Sequence, residues 1–184
     1  MAARLEGHPD NTSACILGGM VASAQVASGV LWARVPVQAA LEAIVAVPDV
    51  ALSTSVARNV LPPNVPHSDA VFNVGRVALL VASLASGELH NLRWATEDRL
   101  HQPYRACLTP GTAAAVRVAL EAGALGAYVS GAGPSAMALT AAGAANASSV
   151  AEAMRTAFTQ VGVACTILHL PMGAAGAGVV EAER

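Results

Sequence analysis

The residue types most suited to chemistry crowd first into "EGHPDN", residues 6–11. His8 brings a donor/acceptor that changes charge near neutrality. Asp10 is an acceptor, and Asn11 an amide that both donates and accepts. Pro9 suits a first helical turn, so these groups stand at a helix N-terminus, where free N–H groups and the dipole favour negative charge. Such a cluster can hold a polar substrate beside a phosphate. The plain alternative is an Asx-type capping turn without further purpose.

Thr54 and Arg58 lie four residues apart in "STSVARNVLP" and share a helix face. Arg105 sits in "QPYRACLTP", between helices. Two guanidinium groups arriving from different elements offer planar forks to a carboxylate or phosphate; the alternative is two surface ion pairs. Asp69, Asn73 and Arg76, at i, i+4 and i+7, form a stripe on a long helix. That reads as a polar face or as an Asp–Arg pair fixing helix packing. "SGAGPS", residues 130–135, can turn backbone N–H groups toward an anion. It joins strand to strand, which excludes the strand-to-helix dinucleotide fingerprint. The sequence contains no lysine, which excludes a Walker loop. His67, His90, His101 and His169 lack a metal-ligating partner at i+3 or i+4 and read as surface or packing residues.

The elements that must position these groups follow from pattern and punctuation. Pro9–Leu17 is predicted as a helix stopped by Gly18-Gly19. Met20–Ala27 and Val30–Val35 form a hairpin through Ser28-Gly29. Glu42–Pro48 is a strand. Ser53 caps a helix to Leu61, ended by Pro62-Pro63. Ser68 or Asp69 caps a long helix that stops at Gly87, and Leu89–His101 is a further helix. Thr112–Ala122 is a helix, Leu125–Val129 and Ala136–Thr140 are strands, Ser148–Val161 is a helix, and Val163–Leu170 is the last strand. From residue 42 onward the order compresses to β-α-β-β-α-β. That predicts an α+β, ferredoxin-like domain with helices on one face of an antiparallel sheet. Residues 1–41 have no obvious sheet to join, so the chain divides at 41/42.

Hydrophobic residues make up 54% of the 184, but aromatics only 3%, which predicts a core of small, closely packed side chains. Net charge is -2 and no basic block stands out, so nucleic-acid binding is disfavoured. Cys15, Cys107 and Cys165 are too few and too scattered for a disulfide framework, which suits a reducing cytoplasm. Each apolar run is interrupted before it reaches bilayer length, so no membrane span is expected. Oligomeric state is not fixed by the sequence, and a homodimer stays open.

"EGHPDN…GG", "TSVARNVLP…VPHSDAVFNVGRVALL", "ATEDRLHQPYR…LTPG" and "VSGAGPSAMAL" occur together and in order. In this the chain resembles the homoserine kinases of the GHMP small-molecule kinase superfamily, with an actinobacterial flavour. The resemblance implies transfer of the γ-phosphoryl group of ATP, with Mg2+, to the side-chain hydroxyl of L-homoserine, on the route to threonine. It implies that His8, Asp10 and Asn11 line the amino-acid pocket, with Asn11 nearest the reacting hydroxyl. Thr54, Arg58 and Arg105 would clamp the carboxylate, and Gly131 would give a backbone contact. Members of the family also carry an upstream P-x-x-x-G-L-G-S-S-A phosphate loop and an acidic Mg2+ ligand, and neither is in this sequence. The segment after Asn11 reads "TSA" where the family commonly has "VAP". The expectation is therefore a C-terminal portion that binds ATP poorly and has little kinase activity alone. A non-catalytic amino-acid-binding module and a mevalonate-type kinase of the same superfamily are the other readings.

Overall fold

The computed structural model describes residues 2–173 and 175–178, and for Thr54 the backbone alone. Helices α1 (Ala2–Glu6) and α2 (Asp10–Leu17) open the chain, followed by strands β1 (Met20–Val26) and β2 (Gly29–Val35). Pro9 holds the N-cap position of α2 and Gly18 its C-cap. The two strands pair antiparallel from Met20↔Val35 to Val26↔Gly29 and form a sheet of their own.

The second sheet has the order β4-β5-β3-β6, from β3 (Leu41–Pro48), β4 (Gly126–Val129), β5 (Ala136–Ala141) and β6 (Cys165–Pro171), and every pairing in it is antiparallel. "LEAIVAV" is apolar almost without a break because β3 is central and covered on both faces. Ile44 and Ala46 join the core on one face, and Ala43 and Val45 the core on the other.

On the first face lie α7 (Thr112–Glu121) and α8 (Ala147–Thr159). Ala115, Ala119, Ala151 and Ala157 let helix and sheet approach closely, while Met154 and Phe158, both fully buried, fill what remains. This is the small-residue core that the composition predicts. The antiparallel α+β arrangement agrees with the expected fold class. The opposite face is also covered. Leu84 near the end of α4 (His67–Ser86), Leu92 of α5 (Leu92–Ala95) and Val35 at the end of β2 pack on Leu41, Ala43, Val45 and Leu139. The hairpin thus joins the second sheet through side chains rather than through strand pairing.

Two expectations are corrected. First, α4 starts at His67 with Pro66 as N-cap, with no side-chain cap from Ser68 or Asp69; it ends at Gly87 (φ 83°) as expected. Second, residues 89–101 are not one helix. A 3-10 turn (Leu89–Asn91) leads into the single turn of α5, and a non-helical stretch precedes α6 (Gln102–Arg105) and a second 3-10 turn (Ala106–Leu108). The Asp98 carboxylate accepts hydrogen bonds from the backbone N–H groups of Leu100, His101 and Gln102, which replaces the helical ladder there. Helix α4 as a whole is 20 residues long, with a mean hydropathy of 1.4 over its most apolar stretch and 11% of that stretch buried. By length and composition alone it meets the criterion for a span that the separate apolar runs did not. The remaining helix of this region, α3 (Thr54–Asn59), ends before the predicted Leu61.

Phe158 is the largest fully buried side chain. Phe158→Ala is expected to lower stability by about 3–5 kcal/mol, read as a fall in the urea midpoint at unchanged slope.

Candidate functional site

Arg105, at the end of α6, is 8% exposed, and no acid pairs with it among the described residues. Neutral acceptors hold it instead. Nε donates to the Ala57 carbonyl of α3 at 2.9 Å, and Nη1 donates to Nδ1 of His101 at 3.1 Å and reaches the Gly131 carbonyl at 3.4 Å. Nη2 has no partner among the described residues. The guanidinium is therefore no open fork; it presents one free edge. Burial first, and then the nearby charge of Arg58, push Arg105 below its usual value, while Asp98 opposes them.

Arg58 is exposed at the end of α3, one residue after the carbonyl that Arg105 grips. Thr54 opens the same helix; its side chain lies outside the described residues. Gly131 lies in the β4–β5 turn, which is closed by the Ser130 N–H to Ser135 carbonyl bond at 2.8 Å. Its φ of 57° favours glycine, and a Cβ built there would meet nothing within 4 Å, so this backbone faces open space. Thr112 at the start of α7 ties the turn down by donating to the Pro134 carbonyl at 2.7 Å. The predicted residues Arg58, Arg105 and Gly131 are therefore gathered by three separate elements.

His8, Asp10 and Asn11 form a second group at the start of α2. The half-buried His8 ring bonds the Asp10 carboxylate. Partial burial works against ionisation of Asp10. The backbone N–H of Asn11 and the His8 ring outweigh it and hold the acid below its ordinary range. The exposed Asn11 amide makes no hydrogen bond among the described residues. Among those residues, no hydrogen bond or ion pair joins this group to Arg58, Arg105 or Gly131.

The 69/73/76 stripe has a use of its own. Arg99 approaches Asp69 at 3.4 Å, Asn73 donates to Asp98 at 2.6 Å, and Arg76 donates to Glu97 at 2.8 Å. Successive residues 99, 98 and 97 thus match successive turns of α4. Arg76 and Arg99 also stack on the Phe72 ring, 4.3 and 3.9 Å from its centroid.

Two functional-looking residues escaped the sequence reading. His101, read there as a surface or packing residue, touches Arg105; their i, i+4 spacing was the available signal. Gln102 bridges α6 to the sheet, since its Oε1 accepts the Val129 N–H at 2.8 Å.

His101 also carries a pH dependence. Burial, reinforced by Arg105 and opposed by Asp98, lowers it from its ordinary 6.5. Arginine only donates, so Nδ1 must be the acceptor, and protonation would end that bond. As pH falls below 6.5 the unfolded chain binds the proton first, so stability drops with falling pH down to the lowered folded value. The urea midpoint is expected to fall as the pH drops below the ordinary 6.5, and His101→Gln should flatten that limb. An unchanged limb in the variant would refute the assignment.

Comparison with known proteins gives one consistent answer. The family described as GHMP kinases C terminal matches residues 80–160. A homoserine kinase of Moorella thermoacetica is 43% identical over 180 residues, covering 98% of this chain and 60% of the relative. The crystal structure of homoserine kinase from Cytophaga hutchinsonii superposes with a TM-score of 0.85 at 32% identity, over 92% of this chain and 53% of that one. A mevalonate kinase of L. major, solved with R-mevalonate, shares the fold at a TM-score of 0.63 and 18% identity, over 87% of this chain and 51% of that one. This chain spans about three fifths of the length of the Moorella relative. The chain thus carries a GHMP kinase C-terminal domain over residues 80–160 and is a homologue of homoserine kinases.

Proposed function

We propose that this chain supplies the amino-acid-binding part of a homoserine kinase, the enzyme that moves the γ-phosphoryl group of ATP to the side-chain hydroxyl of L-homoserine. One observation carries the reading. Arg58 and Arg105 come from different helices close enough to repel, and neither has an ion-pair partner among the described residues. An amino-acid carboxylate supplies the missing counter-charge, bonding to the free edge of Arg105 and to Arg58. Thr54 and the open backbone at Gly131 complete that end of the pocket.

His8, Asp10 and Asn11 line the other end, with Asn11 nearest the reacting hydroxyl. Phosphoryl transfer depends on in-line positioning and charge stabilisation more than on a strong base. Asp10 is already engaged by His8 and its carboxyl held low, which makes it a poor base. The unengaged Asn11 amide suits an orienting role.

ATP and Mg2+ are a different matter. Among the described residues no group of three or more His, Cys, Asp or Glu is gathered to hold a metal ion. We assign nucleotide and metal to the part of the homologous enzymes that this chain does not span. We take residues 1–41 as a remnant of a GHMP kinase N-terminal domain and 42–184 as the C-terminal domain, a division that falls one residue into β3 (Leu41–Pro48). The cytoplasm is the assigned compartment, where the free Cys15, Cys107 and Cys165 stay reduced.

Calorimetry tests the reading. L-Homoserine is expected to bind at least roughly tenfold more tightly than L-homoserine amide, which keeps the hydroxyl but lacks the carboxylate charge, since a charge-assisted hydrogen bond is worth about 1.5–3 kcal/mol. Arg105→Ala and Arg58→Ala should each remove that preference. Equal binding of the amide would overturn the clamp. Tighter binding of R-mevalonate would transfer the site to the mevalonate-type reading.

A further inference from the structure

Arg105 poses a positioning problem that its own helix cannot solve. Helix α6 is four residues long, and a single turn has little stability of its own. Yet this turn carries the buried guanidinium that meets α3, the β4–β5 turn and, on the proposed reading, the substrate. Arginine has many rotamers, so something outside α6 must fix the turn before the side chain can be fixed.

The geometry points to Asp98 as the positioning residue for Arg105. Its Oδ2 accepts the N–H groups of His101 at 2.8 Å and Gln102 at 2.6 Å, and its Oδ1 accepts that of Leu100 at 3.1 Å. The Gln102 N–H is one that the start of α6 leaves unpaired, and those of His101 and Leu100 lead directly into it. Oδ1 also accepts from Asn73 at 2.6 Å, which anchors the carboxylate to α4, the longest helix. Asn73 returns the contact, its Oδ1 accepting the Arg99 N–H at 2.9 Å. On the far side, Gln102 fastens α6 to β4 at Val129, beside the turn that bears Gly131. The start of α6 is thus pinned to a long helix and to a sheet edge, and Arg105 extends from a fixed base. His101 forms the last link: its Nε2 is 4.0 Å from Asp98 Oδ2, and its Nδ1 accepts from Arg105. Asp98 acts on the clamp without touching the substrate.

The role of Asp98 at Arg105 stands on this geometry alone; its consequence for substrate rests on the clamp reading above. The two are tested separately in the 184-residue chain. The Arg105 Nε–H, bonded to the Ala57 carbonyl, is expected to give a slowly exchanging ¹H–¹⁵N signal, identified by its loss in Arg105→Lys. Asp98→Asn places an amide donor against backbone donors and removes the charge. It should abolish or strongly broaden that signal while circular dichroism and the core amides stay native. Asn73→Ala keeps the capping carboxylate but cuts its anchor, and should speed exchange of the same Nε–H by at least about fivefold. This second variant decides the matter if Asp98→Asn does not fold. A protected, unshifted Arg105 Nε–H in folded Asp98→Asn, or in Asn73→Ala where the first does not fold, would overturn the proposal whatever the ligand does.

With L-homoserine, Asp98→Asn should weaken binding tenfold or more while leaving the affinity for L-homoserine amide within about twofold. Equal loss for both ligands would show a merely structural role and overturn the assignment. If the wild-type chain itself did not discriminate, the clamp reading would fall, and the Nε–H signal would still decide the positioning.

Discussion

The structure depends on covering both faces of β3. A central strand with apolar groups pointing both ways is stable only between two packed layers. The α7–α8 pair supplies one layer with alanines, and the ends of α4, α5 and β2 supply the other with Leu84, Leu92 and Val35. Covering the second face brings the chain past α5 to the β4 edge of the sheet, where Gln102 of α6 meets Val129. The gathering of Arg105, Ala57 and Gly131 is a consequence of that route. Gly126, at the start of β4, shows how close the approach is: a Cβ there would lie 3.0 Å from the Leu92 carbonyl.

Electrostatics then sets the character of the site. A buried arginine is ordinarily matched to an acid, because burying an unpaired charge is costly. Arg105 is matched to two carbonyls and a neutral imidazole, and the carboxylate closest to balancing it is spent on α6. Asp98 accordingly sits below its usual range: burial opposes this, but the N–H groups of Gln102, His101 and Leu100 and the Asn73 amide outweigh it. The arrangement leaves Arg105 and Arg58 with no carboxylate in ion-pair contact among the described residues, although the charge of Asp98 still acts on Arg105. In binding terms, that pair is attraction held ready for an anion, with the cost of ordering one arginine already met by the fold.

Most elements could be read locally from the sequence. β3 was visible as an apolar run, α4 from its pattern and Gly87, and the β4–β5 pair from the strands on either side of "SGAGPS". What was not visible was set by contacts distant in sequence. The 89–101 segment has the composition of a helix, and only the partnership of Asp98 with Asn73, 25 residues away, makes its carboxylate a cap rather than a solvated side chain. The second covered face was hidden for the same reason, since Val35, Leu84 and Leu92 come from three elements whose meeting no local pattern announces. For the site, "EGHPDN" and the two arginines stood out by residue type. His101 did not, because an isolated histidine carries no signal until its neighbour at i+4 is seen to be buried.

The two groups of site residues are held by different kinds of force. Around Arg105 the restraints are directional hydrogen bonds across α3, α4, α6 and β4, so its position is set to within the tolerance of those bonds. The His8 group stands on α2, next to β1. Its links to the rest of the described residues run through the bridge Gly18↔Ala175, the Ala177 N–H to Cys15 carbonyl bond, and the packing of Val35 on the second sheet. Packing is strong but non-directional. On the proposed reading, one end of the pocket is held by a network of directional bonds and the other more by packing. A carboxylate needs the first, for bidentate recognition is intolerant of displacement. A hydroxyl that must meet a phosphorus in line is no more tolerant of displacement, so the packing around α2 and β1 has to hold the Asn11 end as closely as hydrogen bonds hold Arg105.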